Sequence, residues 1–137
     1  MKEEDKIIEK LKNKHPIEEL VTFNETDIHI KLKENAFNIL KYKDFYNAEI
    51  ATMEDLEIKY ERLLGMRYEH YRFNDEKEWT KVEIENYALP ADKMIIQMKK
   101  IMWKQRIRVN FFMACWKGLE KMQWNMKTFH DVMRGGI

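Results

Sequence analysis

Two stretches of the chain set positive charge beside flat rings, the pairing that grips a sugar-phosphate chain and stacks on its bases. The first runs from Arg62 to Phe73 and reads Arg-Leu-Leu-Gly-Met-Arg-Tyr-Glu-His-Tyr-Arg-Phe. Its candidate contacts are Arg62, Arg67, His70, Tyr71 and Arg72, with Lys59 in support just upstream. The second runs from Lys99 to Arg108 and holds Lys99, Lys100, Lys104, Arg106 and Arg108 around Trp103, without an acid. Each has a plainer reading. The first could be a helix end with solvated charges over packed aromatics. The second could be a solvated helix face, or cations that pair with acids on another helix. Neither carries a pattern that reads base sequence.

Catalytic and metal chemistry lack the constellations they need. There is no phosphate-cradling glycine loop, no paired-histidine zinc motif on a helix and no cysteine cluster. His15, His29, His70 and His130 are scattered. Cys115 falls on an apolar seam, where a structural thiol is expected rather than a nucleophile. The chain is therefore expected to bind rather than catalyse, with no cofactor and no metal.

A chain of 137 residues has the length of one domain, expected over 1–137. Apolar residues make up 45%, and with four Gly and two Pro the turns must be few and the elements long. Ten Met suit irregular contact surfaces as well as cores. The single Cys and the lack of a charged-then-apolar leader point to a reducing cytoplasm. No stretch approaches the roughly 18–20 uncharged residues a spanning helix needs, so no membrane is expected as a partner. Charge is unevenly spread: residues 1–90 carry 15 basic and 21 acidic side chains, residues 91–137 carry 10 and 3. A basic C-terminal face could meet phosphate or the acidic half of a neighbouring subunit.

The elements that must position these groups read as mainly α. Residues 1–23 form an N-terminal arm: a charged helix over 2–14, with Ile7, Ile8 and Leu11 on one side, stopped by His15-Pro16 and expected to be loosely held. Over 24–73 a long helical region starts near Asp27 or Ile28, capped by Asn24-Glu25-Thr26-Asp27, although the alternation Ile28, Ile30, Leu32 also fits a strand start. Its 4-3 seam runs through Leu32, Ala36, Ile39, Lys43, Tyr46, Ile50, Met53, Glu57, Tyr60, Leu64, Arg67 and Tyr71, with Gly65 as a weak point. Residues 74–90 are a polar connection, with a short β-strand near 81–86 as an option where Val82 and Ile84 alternate with charges.

Leu89-Pro90-Ala91-Asp92 then opens the last helix, over 91–137. Its seam is Met94, Met98, Ile101, Gln105, Arg108, Phe112, Cys115, Leu119, Met122, Met126, Phe129 and Met133, flanked by Ile95, Met102, Val109 and Trp116, and Gly135-Gly136 stops it. A stripe of about 40 residues spans roughly 60 Å, more than so small a domain is expected to cover by itself. Met98, Ile101, Phe112, Cys115, Trp116, Leu119, Met122, Met126 and Phe129 are therefore expected to meet other copies in a homo-oligomer.

In order and spacing of elements the chain resembles the UvsY-type recombination mediators of large tailed phages over residues 45–133. The anchors are Arg67 to Arg72 at the helix end, Ala91-Asp92-Lys93 opening the last helix, and Trp124-Asn125-Met126-Lys127, similar to an aromatic, any residue, aliphatic, Lys run. The resemblance implies a protein that binds single-stranded DNA and assembles into a ring-like oligomer through its C-terminal helices. It also implies a host-cytoplasm protein that helps a RecA-like phage recombinase displace single-strand-binding protein. The family's DNA-binding stretch has Lys, any residue, Arg, two residues, then Tyr-Tyr. Arg67 and Tyr71 match its Arg and second Tyr, whereas His70 replaces the first Tyr and Gly65 stands at the Lys. Arg62 or Arg72 would supply that charge. Met122-Gln123 likewise replaces an Arg-Gly-like pair before the aromatic. The competing reading, which the residues leave open, is a helical scaffold whose partner is another protein.

Overall fold

The computed structural model describes residues 2–21 and 27–135, and every regular element in them is helical. The helices are α1 (Glu3–Lys14), α2 (Ile17–Leu20), α3 (Ile28–Glu69), α4 (Lys81–Glu83), α5 (Leu89–Ala91) and α6 (Lys93–Met133). Single π-helical turns at His70–Asn74 and Ile84–Ala88 join them. The chain divides into two compact units, one built of the residues up to Ile50 with those from Ile107 onward, the other of Ala51–Arg106. Both long helices contribute a segment to each.

Helix boundaries follow local chemistry. α1 carries Glu3, Glu4 and Asp5 in its first turn and Lys12 and Lys14 in its last, the arrangement its dipole favours. It ends where Pro16 forces His15 out of helical angles. α3 begins at Ile28, within the expected start. The capping run Asn24 to Thr26 and Phe23 lie outside the described residues, as does Gly136. Ile28 to Leu32 is helix, so the strand alternative there falls. α6 ends on Gly135, whose φ of 69° suits a residue without Cβ and whose N–H donates to the Val132 carbonyl at 3.0 Å.

No strand occurs among the described residues, which corrects the optional strand near 81–86. Thr80 and Glu83 form a capping box that starts a helix at Lys81. The Glu83 N–H donates to Thr80 Oγ1 and the Thr80 N–H to Glu83 Oε1, both at 3.2 Å. Ile84 is then buried completely and Val82 left 62% exposed, as a helical turn requires and an alternating strand would not.

In the first unit the start of α3 and the C-terminal part of α6 run antiparallel and bury one core: Leu11, Ile28, Tyr42, Phe112, Cys115, Leu119, Met122 and Met126. Leu11 brings α1 into it, so the arm is packed rather than loose. The α6 residues on that list were expected to meet other copies. Their apolar surface is instead covered within the chain, because α3 matches α6 in length and supplies the missing partner. Burial pushes the Cys115 thiol up to about 11, which keeps it protonated and inert.

Two polar features tie this unit together. Asn35, fully buried one position from the expected seam residue Ala36, donates through Nδ2 to the Leu119 carbonyl and to Gln123 Oε1, each at 2.9 Å. Arg108 forks onto Glu49, with Nη2 to Oε1 at 2.6 Å and Nε to both oxygens at 3.1 Å. Arg108 is thus the interhelical partner of an acid, the plainer of the two readings of its segment.

His15 sits among rings, with centroids 5.7, 5.2 and 5.1 Å from those of Tyr42, Phe45 and Phe112. Burial first, then the charges of Lys14, Lys41 and Arg108, hold its pKa below 6.5. The folded state therefore binds this proton less readily than the unfolded chain. Its stabilisation is complete above about pH 6.5 and is lost as pH falls from there through the lowered folded value. The urea midpoint should drop between about pH 7.5 and about pH 5.5, and His15→Gln should remove part of that drop. Parallel pH profiles in the two proteins would count against it.

Candidate nucleic-acid interface

Both expected basic segments lie wholly or mostly in the second unit. Lys59, Arg62 and Arg72 on the first segment and Lys99, Lys100, Lys104 and Arg106 on α6 are exposed, whereas Arg67, His70 and Tyr71 are half-buried. Trp103, amid the α6 cations, is 38% exposed. Spacings of four and three residues set Lys99, Trp103 and Arg106 on one face of that helix, a ring with a cation one turn to either side.

Three residues quoted for the family resemblance meet in one network. Asp92 breaks the chain between α5 and α6, with φ −69° and ψ 126°, and its Oδ1 caps α6 by accepting from the N–H groups of Met94 at 2.9 Å and Ile95 at 3.1 Å. Its Oδ2 accepts from Arg67 Nε at 2.8 Å and from the Tyr71 hydroxyl at 2.6 Å. The Asp92 side chain is only 2% exposed, so these four donors replace water almost entirely.

Burial pushes the Asp92 carboxyl up, but the bonds from Tyr71, Arg67 and the Ile95 amide outweigh it and the net shift is downward. The bond to Asp92 raises the Arg67 pKa and, with burial, that of the Tyr71 hydroxyl. The arrangement is a closed polar hub in which the Arg67 charge is balanced in place, and its guanidinium lies 5.4 Å from the Tyr71 ring centroid.

Beside this hub lies a cleft of about 600 Å³ lined by Arg72, Glu78, Trp79, Thr80 and Lys81. Of these only Arg72 lies in one of the two basic segments where the sequence sets cations beside rings. Trp79 is held from several sides. Its Nε1 donates to Asp75 Oδ2 at 2.7 Å, its carbonyl accepts from Arg72 Nη1 at 3.3 Å, and Lys77 Nζ stands 3.9 Å from the ring centroid. Tyr71 meets the indole edge-on at 5.8 Å and 75°. The bond from Trp79 holds the Asp75 carboxyl below its usual range, as the bond with Thr80 does for Glu83. The signal that could have found this segment is Thr80-Lys-Val-Glu83, a capping-box pattern that fixes a helix start next to an aromatic.

Among the described residues no group of three or more His, Cys, Asp or Glu side chains is placed to hold a metal ion. His29 and His130 approach as a pair, Nε2 to Nε2 at 3.4 Å, in the first unit. No described helix is long and apolar enough to cross a membrane.

No protein-family model and no curated protein matches the sequence. Solved structures do. A crystal structure of the bacteriophage T4 recombination mediator protein UvsY, lattice type IV, superposes with a TM-score of 0.77 at 15% identity, covering 95% of this chain and 98% of that one. A second, lattice type II, gives 0.76 at 17% identity, covering 99% and 98%. The resemblance read over residues 45–133 thus extends, in fold, along nearly the whole chain, which has the mainly α fold of the T4 recombination mediator protein UvsY.

Proposed function

We propose that this protein is a single-stranded-DNA-binding recombination mediator that works as a homo-oligomer in an infected bacterial cell. In this reading it helps load a RecA-like recombinase onto DNA covered by single-strand-binding protein. The observation that carries the reading is a fold shared from end to end with a protein described as a recombination mediator. The acid-free run from Lys99 to Arg106, whose cations are exposed around Trp103, supports it by offering charge for phosphate beside a ring for stacking.

The charge that grips phosphate comes from side chains not already neutralised by a buried partner. That favours Lys99, Lys100 and Arg106, with Lys59, Arg62 and Arg72, over Arg67. Contacts between copies fall to apolar side chains that the fold leaves bare, among them Ile101 (41% exposed), Trp124 (68%) and Met133 (60%) on α6. A monomer mass at micromolar concentration would refute the assembly.

Affinity for an oligo-dT strand is expected to fall steeply with salt, because each neutralised phosphate releases counterions and contributes about 0.7 to the logarithmic slope for single strands. Lys99→Ala, Lys100→Ala and Lys104→Ala together should flatten that slope by up to about 2, per subunit engaged. Wild-type protein that leaves the oligonucleotide unbound at low salt would overturn the reading.

A further inference from the structure

We propose that the cleft of Arg72, Glu78, Trp79, Thr80 and Lys81 receives one base of single-stranded DNA, stacked on the Trp79 indole, with Arg72 and Lys81 on the flanking phosphates. Arg67 and Tyr71 are then the frame of this site rather than its contacts. The inference rests on the single-strand-binding reading above and names the side chains that do the holding.

Size and chemistry agree with such a ligand. About 600 Å³ falls inside the range of roughly 300–1,000 Å³ typical of small-molecule sites, ample for a base with its sugar. Lys77 Nζ stands 3.9 Å from the Trp79 ring centroid on one side, so a base would stack on the other π-face, which an indole offers alike to every base, as binding without a base-reading pattern requires. Arg72 and Lys81 are exposed and share the lining with a single acid, Glu78. Two neighbouring acids, Asp75 and Glu83, are engaged elsewhere. Asp75 holds Trp79 Nε1, and Glu83 sits in the capping box 3.9 Å from Lys77 Nζ.

The cleft is also set in advance. Asp92, anchored on the first turn of α6, fixes Tyr71; Tyr71 packs against Trp79 in a T-shaped contact; Asp75 holds the indole nitrogen. A ring already locked in place loses little further freedom when a base arrives, so more of the stacking energy is available to binding. The same chain of contacts turns the polar atoms of Arg67 and Tyr71 toward Asp92, away from any bound strand.

Anisotropy titrations with a labelled oligo-dT strand test the assignment on the full-length protein, with circular dichroism and mass confirming each variant's fold and assembly. Trp79→Ala should weaken binding by about 5- to 150-fold with the salt slope unchanged, and Trp79→Phe should restore most of the loss. Arg72→Ala with Lys81→Ala should flatten the slope by about 0.7 per phosphate released, and because both side chains are exposed this pair decides the matter should Trp79→Ala fail to fold. Wild-type binding that persists unaltered in that pair overturns the cleft and leaves the single-strand reading standing. A wild-type protein with no affinity for the strand removes the reading itself.

Discussion

Leu119→Ala is expected to destabilise the protein by about 2–5 kcal/mol, seen as a large fall in the urea midpoint with little change of slope. Leu119 is fully buried at the meeting of α3 and α6, and its carbonyl receives Asn35 Nδ2 across the interface. Truncation removes the buried methyl groups and leaves a cavity that two helices crossing side by side cannot easily close, so both the transfer and the cavity contributions apply. Leu119→Asp adds an unpaired charge to that site and should leave no folded protein to assay. Trp124→Ala is the internal comparison: 68% exposed on the same helix, it should change stability by about 0.5 kcal/mol or less while bearing on association between copies. Equal costs for the two alanine variants would mean that Leu119 does not sit in the core described. The contrast also separates folding from assembly. The two cannot be separated by substituting Phe112 and Leu119 together, since those side chains hold the chain itself.

What the sequence made legible, and what it hid, follows from how far each signal reaches. Local signals held. His15-Pro16 ended α1, Asp92 opened α6, and Gly135 closed it, because each acts within a turn of itself. Periodicity held over the C-terminal part of α6, where Phe112, Cys115, Leu119, Met122 and Met126 are all buried.

The same 4-3 repeat drifted elsewhere. In the second unit α6 buries the flank residue Ile95 along with the seam residue Gln105, while Met94 is 50% and Ile101 41% exposed, since a straight helix turns about 20° per heptad away from a strict seven-residue repeat. Near the start of α3 the buried positions are Asn35 and Tyr42 rather than Ala36 and Lys43. A buried Asn cannot be told from a surface one until its partners, here Leu119 and Gln123, are known.

The α6 stripe is covered from Phe112 to Met126 because α3, equally long, supplies a partner there, whereas Met94, Ile101 and Met133 on the same stripe stay 41–60% exposed. The candidate site was half legible: charge and rings were visible as types, but the ties of Arg67 and Tyr71 to Asp92, 25 and 21 residues away, were not.

Those ties yield the most discriminating stability measurement. Asp92→Ala strips four donors of their acceptor at once: Arg67 Nε, the Tyr71 hydroxyl, and the amides of Met94 and Ile95. Loss of the cap alone costs about 1 kcal/mol. Breaking a buried charge pair costs about 3–5 kcal/mol where the abandoned partner stays buried, but the Arg67 side chain is 23% exposed and can turn toward water, which reduces that figure. About 2–4 kcal/mol in all is expected near neutral pH. Asp92→Asn should fall between, keeping an acceptor for the cap while presenting a donor to Arg67 and Tyr71.

The sign of the pH dependence is fixed by the lowered carboxyl pKa. Stabilisation by Asp92 is present above its unfolded value of about 3.8 and is lost as pH falls through the lower folded value, so wild type and Asp92→Ala should converge in acid. Arg67→Ala and the double variant complete a cycle, whose coupling should lie between about 0.5 and 3 kcal/mol if the pair acts as a unit. Arg67→Lys separates frame from contact. A lysine retains the charge a phosphate would feel but lacks the Nε that Asp92 holds, so a frame residue replaced by Lys should lose stability much as Ala does. Arg67→Lys at wild-type stability, coupled to Asp92→Ala by nothing measurable, would return Arg67 to the strand-contacting face and dissolve the hub.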